Sequence, residues 1–140
     1  MQSKEKNNII FLRLFPEEDL NEELQKTCLK YDIKTAIVIS GIGQLKKAEI
    51  GYFKKKGNYY PETFSQPLEI LSLTGNIFKE KDNYYSHLHI VLSDEDKKTY
   101  GGHFIKGQVS ITAEIVLLKS DIEIFRKLDD KTGLQALILE

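Results

Sequence analysis

Cys28 is the only cysteine in the sequence, which excludes an intramolecular disulfide and any thiolate metal cluster built within one chain. It falls on the apolar stripe of an expected helix and reads as a core residue rather than a nucleophile. Arginine is nearly as scarce, with Arg13 and Arg126 the only two among 20 basic residues. Nucleic-acid readers lean on guanidinium forks for bases and phosphates. The formal net charge of −1 adds no general attraction to polyanions or anionic lipid. A long apolar run is missing too. The stretch from Ile9 is broken by Arg13 and Pro16, too short for a secretory leader or a membrane span, so the expected compartment is the cytoplasm. No serine sits in a nucleophile-elbow sequence. Gly41-Ile42-Gly43 is followed by Lys46 and no helical pattern, so the dinucleotide-binding fingerprint fails as well.

What remains is an ordinary globular composition. At 140 residues, 41% hydrophobic and 29% charged, the chain fits one folded domain with a real core. Residues 9–14 are rich in branched and aromatic side chains and predict a first strand. Asp19 followed by Glu22 has capping-box spacing. Leu20, Leu24, Cys28 and Tyr31 then recur at helical intervals, which predicts one principal helix over residues 20–31. After it the pattern turns to strands. The run 35–40 is dominated by β-branched residues and predicts a strand buried on both faces. Gly41 and Gly43 are expected to end it before a strand at 48–53. A hairpin turn is expected at 54–58, around Gly57-Asn58. Further strands are predicted at 59–64, 68–75, 84–92, 99–105, 109–118 and 122–128, with 134–139 closing the sheet or capping a subunit contact. One helix followed by many strands predicts an α+β fold with a large, mostly antiparallel sheet.

Every histidine of the chain falls in one predicted hairpin. His87 and His89 are two apart in a strand, so both leave the same face, while Leu88, Ile90 and Leu92 leave the other as core. The polar stretch 93–98 suits the connecting loop. A hairpin centred on Asp96 opposes Leu92 to Tyr100, His89 to His103 and Leu88 to Phe104. Directly opposed Cβ atoms lie roughly 4.5–5.5 Å apart, and imidazole nitrogens bind zinc at about 2.0–2.1 Å. Three such histidines can therefore share one divalent ion per chain, with zinc the first choice. A one-residue slip would send His103 to the opposite face. Three neutral nitrogens and an open fourth position form the catalytic rather than the structural zinc pattern. Proton transfer needs a further group. Glu69, sharing a strand face with Leu71 and Leu73, and Glu114, on a polar face with Ser110 and Thr112, are the candidates. Lys54-Lys55-Lys56 reads as a solvated hairpin tip, and the aromatics Tyr52, Phe53, Tyr59, Tyr60 and Phe64 around it as core or interface.

An ordered series of motifs resembles the plants-and-prokaryotes conserved domain. It runs from Gly41-Ile-Gly43 with Leu45, Ala48 and Gly51-Tyr-Phe53, through Glu69 to Ile77 and His87-Leu-His89. It continues in Gly101-Gly-His103, Gly107-Gln-Val and Thr112-Ala-Glu114, and covers nearly the whole chain. The resemblance implies a mixed fold with a large antiparallel sheet assembling as a homotrimer. In land plants the domain follows AT-hooks, which bind DNA, and mediates trimerisation and partner contacts. This chain has no arginine-glycine-arginine hook, so direct nucleic-acid binding is not carried over. The fold is also similar to that of acetolactate decarboxylase and related metal-dependent hydrolases, whose three-histidine zinc pattern maps onto His87, His89 and His103. The expectation is a homotrimeric metal-binding protein acting on a small oxygen-rich molecule. The alternative is a non-catalytic assembly module linked to transcription.

Overall fold

A computed structural model describes residues 1–139. Nine strands and one helix follow in chain order: β1 Gln2–Lys6, β2 Ile9–Leu14, α1 Leu20–Lys30, β3 Thr35–Lys55, β4 Asn58–Phe64, β5 Leu68–Glu80, β6 Asn83–Ser93, β7 Thr99–Ser120, β8 Phe125–Leu128 and β9 Gln135–Ile138. Seven of them form one antiparallel sheet in the order β1-β2-β7-β6-β5-β3-β4. An additional β7–β3 pairing joins β3, β5, β6 and β7 into a closed ring, so the sheet curls upon itself.

The helix forms where its signals predict. Asp19 caps it, its carboxylate accepting from the backbone N–H groups of Asn21 and Glu22, which satisfies two of the orphan donors of the first turn. Leu20, Leu24 and Cys28 are buried against the inner faces of β2 and β7, where Ile10, Leu12, Leu14, Ile115 and Leu117 meet them in one core cluster. Burial pushes the Cys28 thiol up to about 12, in keeping with a core role.

The strands differ from expectation in instructive ways. β3 and β7 are each continuous over more than twenty residues, where the glycines predict breaks. Gly43 does interrupt local regularity: it has φ +137, and the β3–β7 register shifts between Gly43 and Leu45. The strand bends there instead of ending. Residues 35–40 are not buried on both faces, since Ile37 and Ile39 point outward and are exposed while Ala36 and Val38 are core. Residues 134–139 do not close the main sheet. β9 pairs with β8 in a separate two-stranded ribbon, tied to the β3–β4 tip by Lys56 Nζ donating to the Asp130 carbonyl at 2.7 Å. β1 has no counterpart in the sequence reading. It folds back on β2 through Asn7 and Asn8, both at positive φ, the backbone of a two-residue hairpin turn that asparagine tolerates.

Candidate metal centre

β6 carries the predicted alternation. Leu88, Ile90 and Leu92 are buried, whereas His87 is half-buried and His89 exposed on the other face. The hairpin to β7 closes around Asp94, whose carboxylate accepts from the N–H groups of Asp96 and Lys98 and from the Tyr100 hydroxyl. That turn sets the register: Leu92 opposes Tyr100 and His89 opposes His103. The expected Leu88–Phe104 pair does not extend it. Beyond His103, β7 leaves β6, and Phe104 pairs with Ile50 of β3.

The three rings converge. Centroids lie 5.2 Å apart for His87–His89, 5.3 Å for His87–His103 and 5.6 Å for His89–His103. One nitrogen from each lies within 4.8 Å of the others. A tetrahedral ion with 2.0–2.1 Å bonds needs nitrogens about 3.3–3.4 Å apart, a closure of at most about 1.4 Å that side-chain rotation supplies. Burial, followed by the charge of Arg126 and the neighbouring histidines, holds the His87 ring below its ordinary value. Burial, then His89 and Arg126, does the same for His103. Both rings therefore favour the neutral, metal-ligating form at neutral pH.

The close approach of three strands at this point is a matter of missing side chains. β3 crosses β7 with Gly51 opposite His103, and a Cβ on Gly102 would stand 2.7 Å from the Gly51 carbonyl oxygen. A Cβ on Gly51 would in turn collide with the Tyr59 ring. Tyr59 lies over that bare backbone and reaches His103 edge-on, 6.4 Å between centroids. Burial, with a smaller push from Glu49, raises its hydroxyl above the ordinary value.

The histidines open into a cleft of about 1110 Å³, also lined by Tyr59, Phe78, Glu80 and Arg126. Arg126 comes from β8. Its Nη2 donates to Asn76 Oδ1 and lies 3.1 Å from His87 Nδ1, while Nη1 donates to the Gln135 carbonyl. Asn76 is the cross-strand partner of His87, so the arginine is held beside the cluster. The sequence reading missed Arg126 and Tyr59 as site residues. The signal for the first was its rarity: it is one of two arginines in a lysine-rich chain.

Glu69 and Glu114 are not brought to the cluster within one chain. Glu69 accepts from Gln44 Nε2 at 2.7 Å on an exposed stretch of β5. It stands five residues before Thr74, the partner of His89, or roughly 16 Å of strand. A register shift between Ile70 and Ser72 also removes it from the face of Leu73, which is buried while Leu71 is exposed. Glu114 pairs with Arg13 and Ile42, eleven residues beyond His103 on β7, roughly 35 Å of strand.

The sheet, the single helix and the His-x-His plus distal histidine now stand together, and the sequence profile of the Plants and Prokaryotes Conserved (PCC) domain matches residues 1–121. The chain belongs to this family. Among curated proteins it is 34% identical, over 87% of its length, to the bifunctional protein GlmU of Synechococcus sp. (strain JA-2-3B'a(2-13)). It spans only 18% and 20% of the two GlmU proteins it matches. Among solved structures, a candidate DNA-binding protein of Bacteroides thetaiotaomicron superposes with a TM-score of 0.92 at 24% identity, covering 99% of this chain and 96% of that one. A metal-containing protein of Archaeoglobus fulgidus superposes at 0.84 with 30% identity, covering 96% and 95%. The expected likeness to acetolactate decarboxylase is present at the level of fold. A Staphylococcus aureus protein described as similar to that enzyme gives 0.56 at 13% identity over 86% of this chain and 54% of that one.

Proposed function

We propose that this PCC-domain protein binds one divalent metal ion per chain, zinc in first place, through His87, His89 and His103. In this reading it uses the ion in chemistry on a small oxygen-rich molecule. The observation that carries the reading is the convergence of three ligating nitrogens within 4.8 Å beside a cleft large enough for a small substrate. The donor set fits: imidazole nitrogens suit zinc, burial holds His87 and His103 in the neutral form, and three such ligands leave a position open. Zinc so held supplies Lewis-acid polarisation of a bound oxygen. The metal-containing description of the Archaeoglobus fulgidus relative supports the same assignment. Tyr59, its ring edge-on to His103, lines the same cleft. Glu69 and Glu114 enter this chemistry only from a neighbouring protomer.

The assembly in this proposal is a homotrimer. Its support is the outer face of the sheet, where Phe11, Ile37, Ile39 and Ile42 are exposed. Large exposed apolar side chains gathered on one sheet face suit a contact between copies of the chain. The same face favours a second reading, an assembly module without chemistry. Direct DNA binding ranks below both, because the net charge is −1 and Lys56, at the basic tip, is engaged with Asp130. Turnover assays over small esters and hydroxy acids, with and without zinc, separate the first two. Zinc-dependent turnover lost in His89→Ala supports the enzyme, and equal rates in both proteins contradict it. Light scattering of Phe11→Glu tests the trimer, which that variant should disrupt.

A further inference from the structure

The β8–β9 ribbon rests on the rim of the cleft without being packed into the molecule. No residue of β8 or β9 is buried, and Phe125, Leu128 and Leu137 are exposed. Among the described residues, only Arg126 and Lys56 make side-chain hydrogen bonds between the ribbon and the sheet. A two-stranded ribbon on its own is marginal in water, so its ladder depends on these ties. Arg126 supplies most of them. Its Nη2 donates to Asn76 Oδ1 and to His87 Nδ1, each at 3.1 Å, and Phe78 lies under the guanidinium, 5.5 Å from Cζ to the ring centroid.

The contact with His87 is one that ion binding cannot preserve. Arginine only donates, so Nδ1 accepts with its lone pair and the neutral ring carries its proton on Nε2. Ligation through Nδ1 takes that lone pair. Ligation through Nε2 moves the proton to Nδ1 and sets N–H against N–H. Either way the hydrogen bond ends. Charge acts in the same direction, because an ion on three neutral imidazoles keeps its double charge and repels a guanidinium in contact with one of its ligands. We infer that the β8–β9 ribbon is a strap over the three-histidine site, that Arg126 is its latch on His87, and that strap closure and metal loading exclude each other. The inference rests on the metal reading above and concerns the regulation of that same site. The closed strap withholds His87 from the ion. Loading releases the ribbon and widens the cleft on the side that Leu134 and Gln135 line. Arg126 and the ribbon lie outside residues 1–121 matched by the family profile, so the device does not follow from family membership.

The test uses the full chain and zinc chloride, with isothermal titration calorimetry and hydrogen exchange of the β8–β9 amides, both at neutral pH. Since only the open form takes the ion, the apparent affinity is reduced by the fraction open. Arg126→Met, which cannot donate, should bind zinc about tenfold or more tightly than wild type, the factor expected for loss of one charged hydrogen bond. Zinc should speed exchange of the wild-type ribbon amides by about the same factor, because the coupling is reciprocal. In Arg126→Met that exchange should already be fast and unaffected by zinc. Equal or weaker zinc binding by Arg126→Met overturns the inference and leaves the metal site standing. Tighter binding without any zinc effect on wild-type exchange also overturns it, since Arg126 would then act only as a nearby charge. Should the variant fail to fold, the wild-type exchange decides alone. Zinc uptake by neither protein refutes the metal reading, and the strap with it.

Discussion

Replacing Gly102 by alanine should damage both the fold and the metal centre, and replacing its neighbour Gly101 should damage neither. A Cβ at position 102 would meet the Gly51 carbonyl oxygen at 2.7 Å, well inside van der Waals contact. Because that atom is backbone in the β3–β7 ladder, it cannot rotate aside. The strands must part where Gly51 opposes His103. Overpacking of this kind costs about 1–3 kcal/mol. With an unfolding entropy of about 2.1 cal/mol/K per residue, a 140-residue chain loses about 3.4 °C of Tm per kcal/mol, so the drop is about 3–10 °C. At position 101 the nearest atom is the Ile90 carbonyl oxygen at 3.3 Å. That contact needs a shift of only tenths of an ångström, and the lower unfolded-state entropy of alanine offsets it by about 0.5–1 kcal/mol. Differential scanning calorimetry of both variants, followed by zinc titration, checks this. Equal Tm values for the two, or full zinc affinity in Gly102→Ala, would refute the claim that bare backbone at the crossing holds His103 in place.

Other consequences are equally direct. His87 and His103 titrate below their unfolded value of about 6.5. Their contribution to metal-free stability is thus present above pH 6.5 and lost as pH falls through the lowered folded values. Urea unfolding at pH 7.5 and pH 5 should show that decline, and a His87→Gln/His103→Gln variant should flatten it. Cys28, with its thiol pushed up to about 12, should resist thiol reagents at pH 8 in the native protein and react at once in denaturant; rapid native labelling would contradict its core position. Asp19→Ala removes the helix cap and should cost about 1 kcal/mol by chemical denaturation, without changing zinc stoichiometry.

The histidine pairing was legible because its determinants are local: a period of two in β6, a polar turn, and one register that keeps Leu92 and Tyr100 together. The helix was legible for the same reason, through Asp19 and the Leu20, Leu24, Cys28 stripe. What escaped depends on chain segments far apart in sequence. Gly41 and Gly43 look like strand breakers, yet they lie within one long continuous strand. The bulge between Ile70 and Ser72 moved Glu69 off the face that simple alternation assigned. β1 was missed because its alternating charges resemble a solvated tail until it pairs with β2. Arg126 enters the cleft through a ribbon 39 residues from His87, a juxtaposition no local pattern encodes.

The central claim is the metal site, and its most direct measurement is the zinc content of untagged protein by elemental analysis after equilibration with zinc and desalting, beside His87→Ala/His89→Ala. One zinc per chain in the wild type and none in the variant is the predicted result. The same zinc content in both proteins, or none in either, would contradict it.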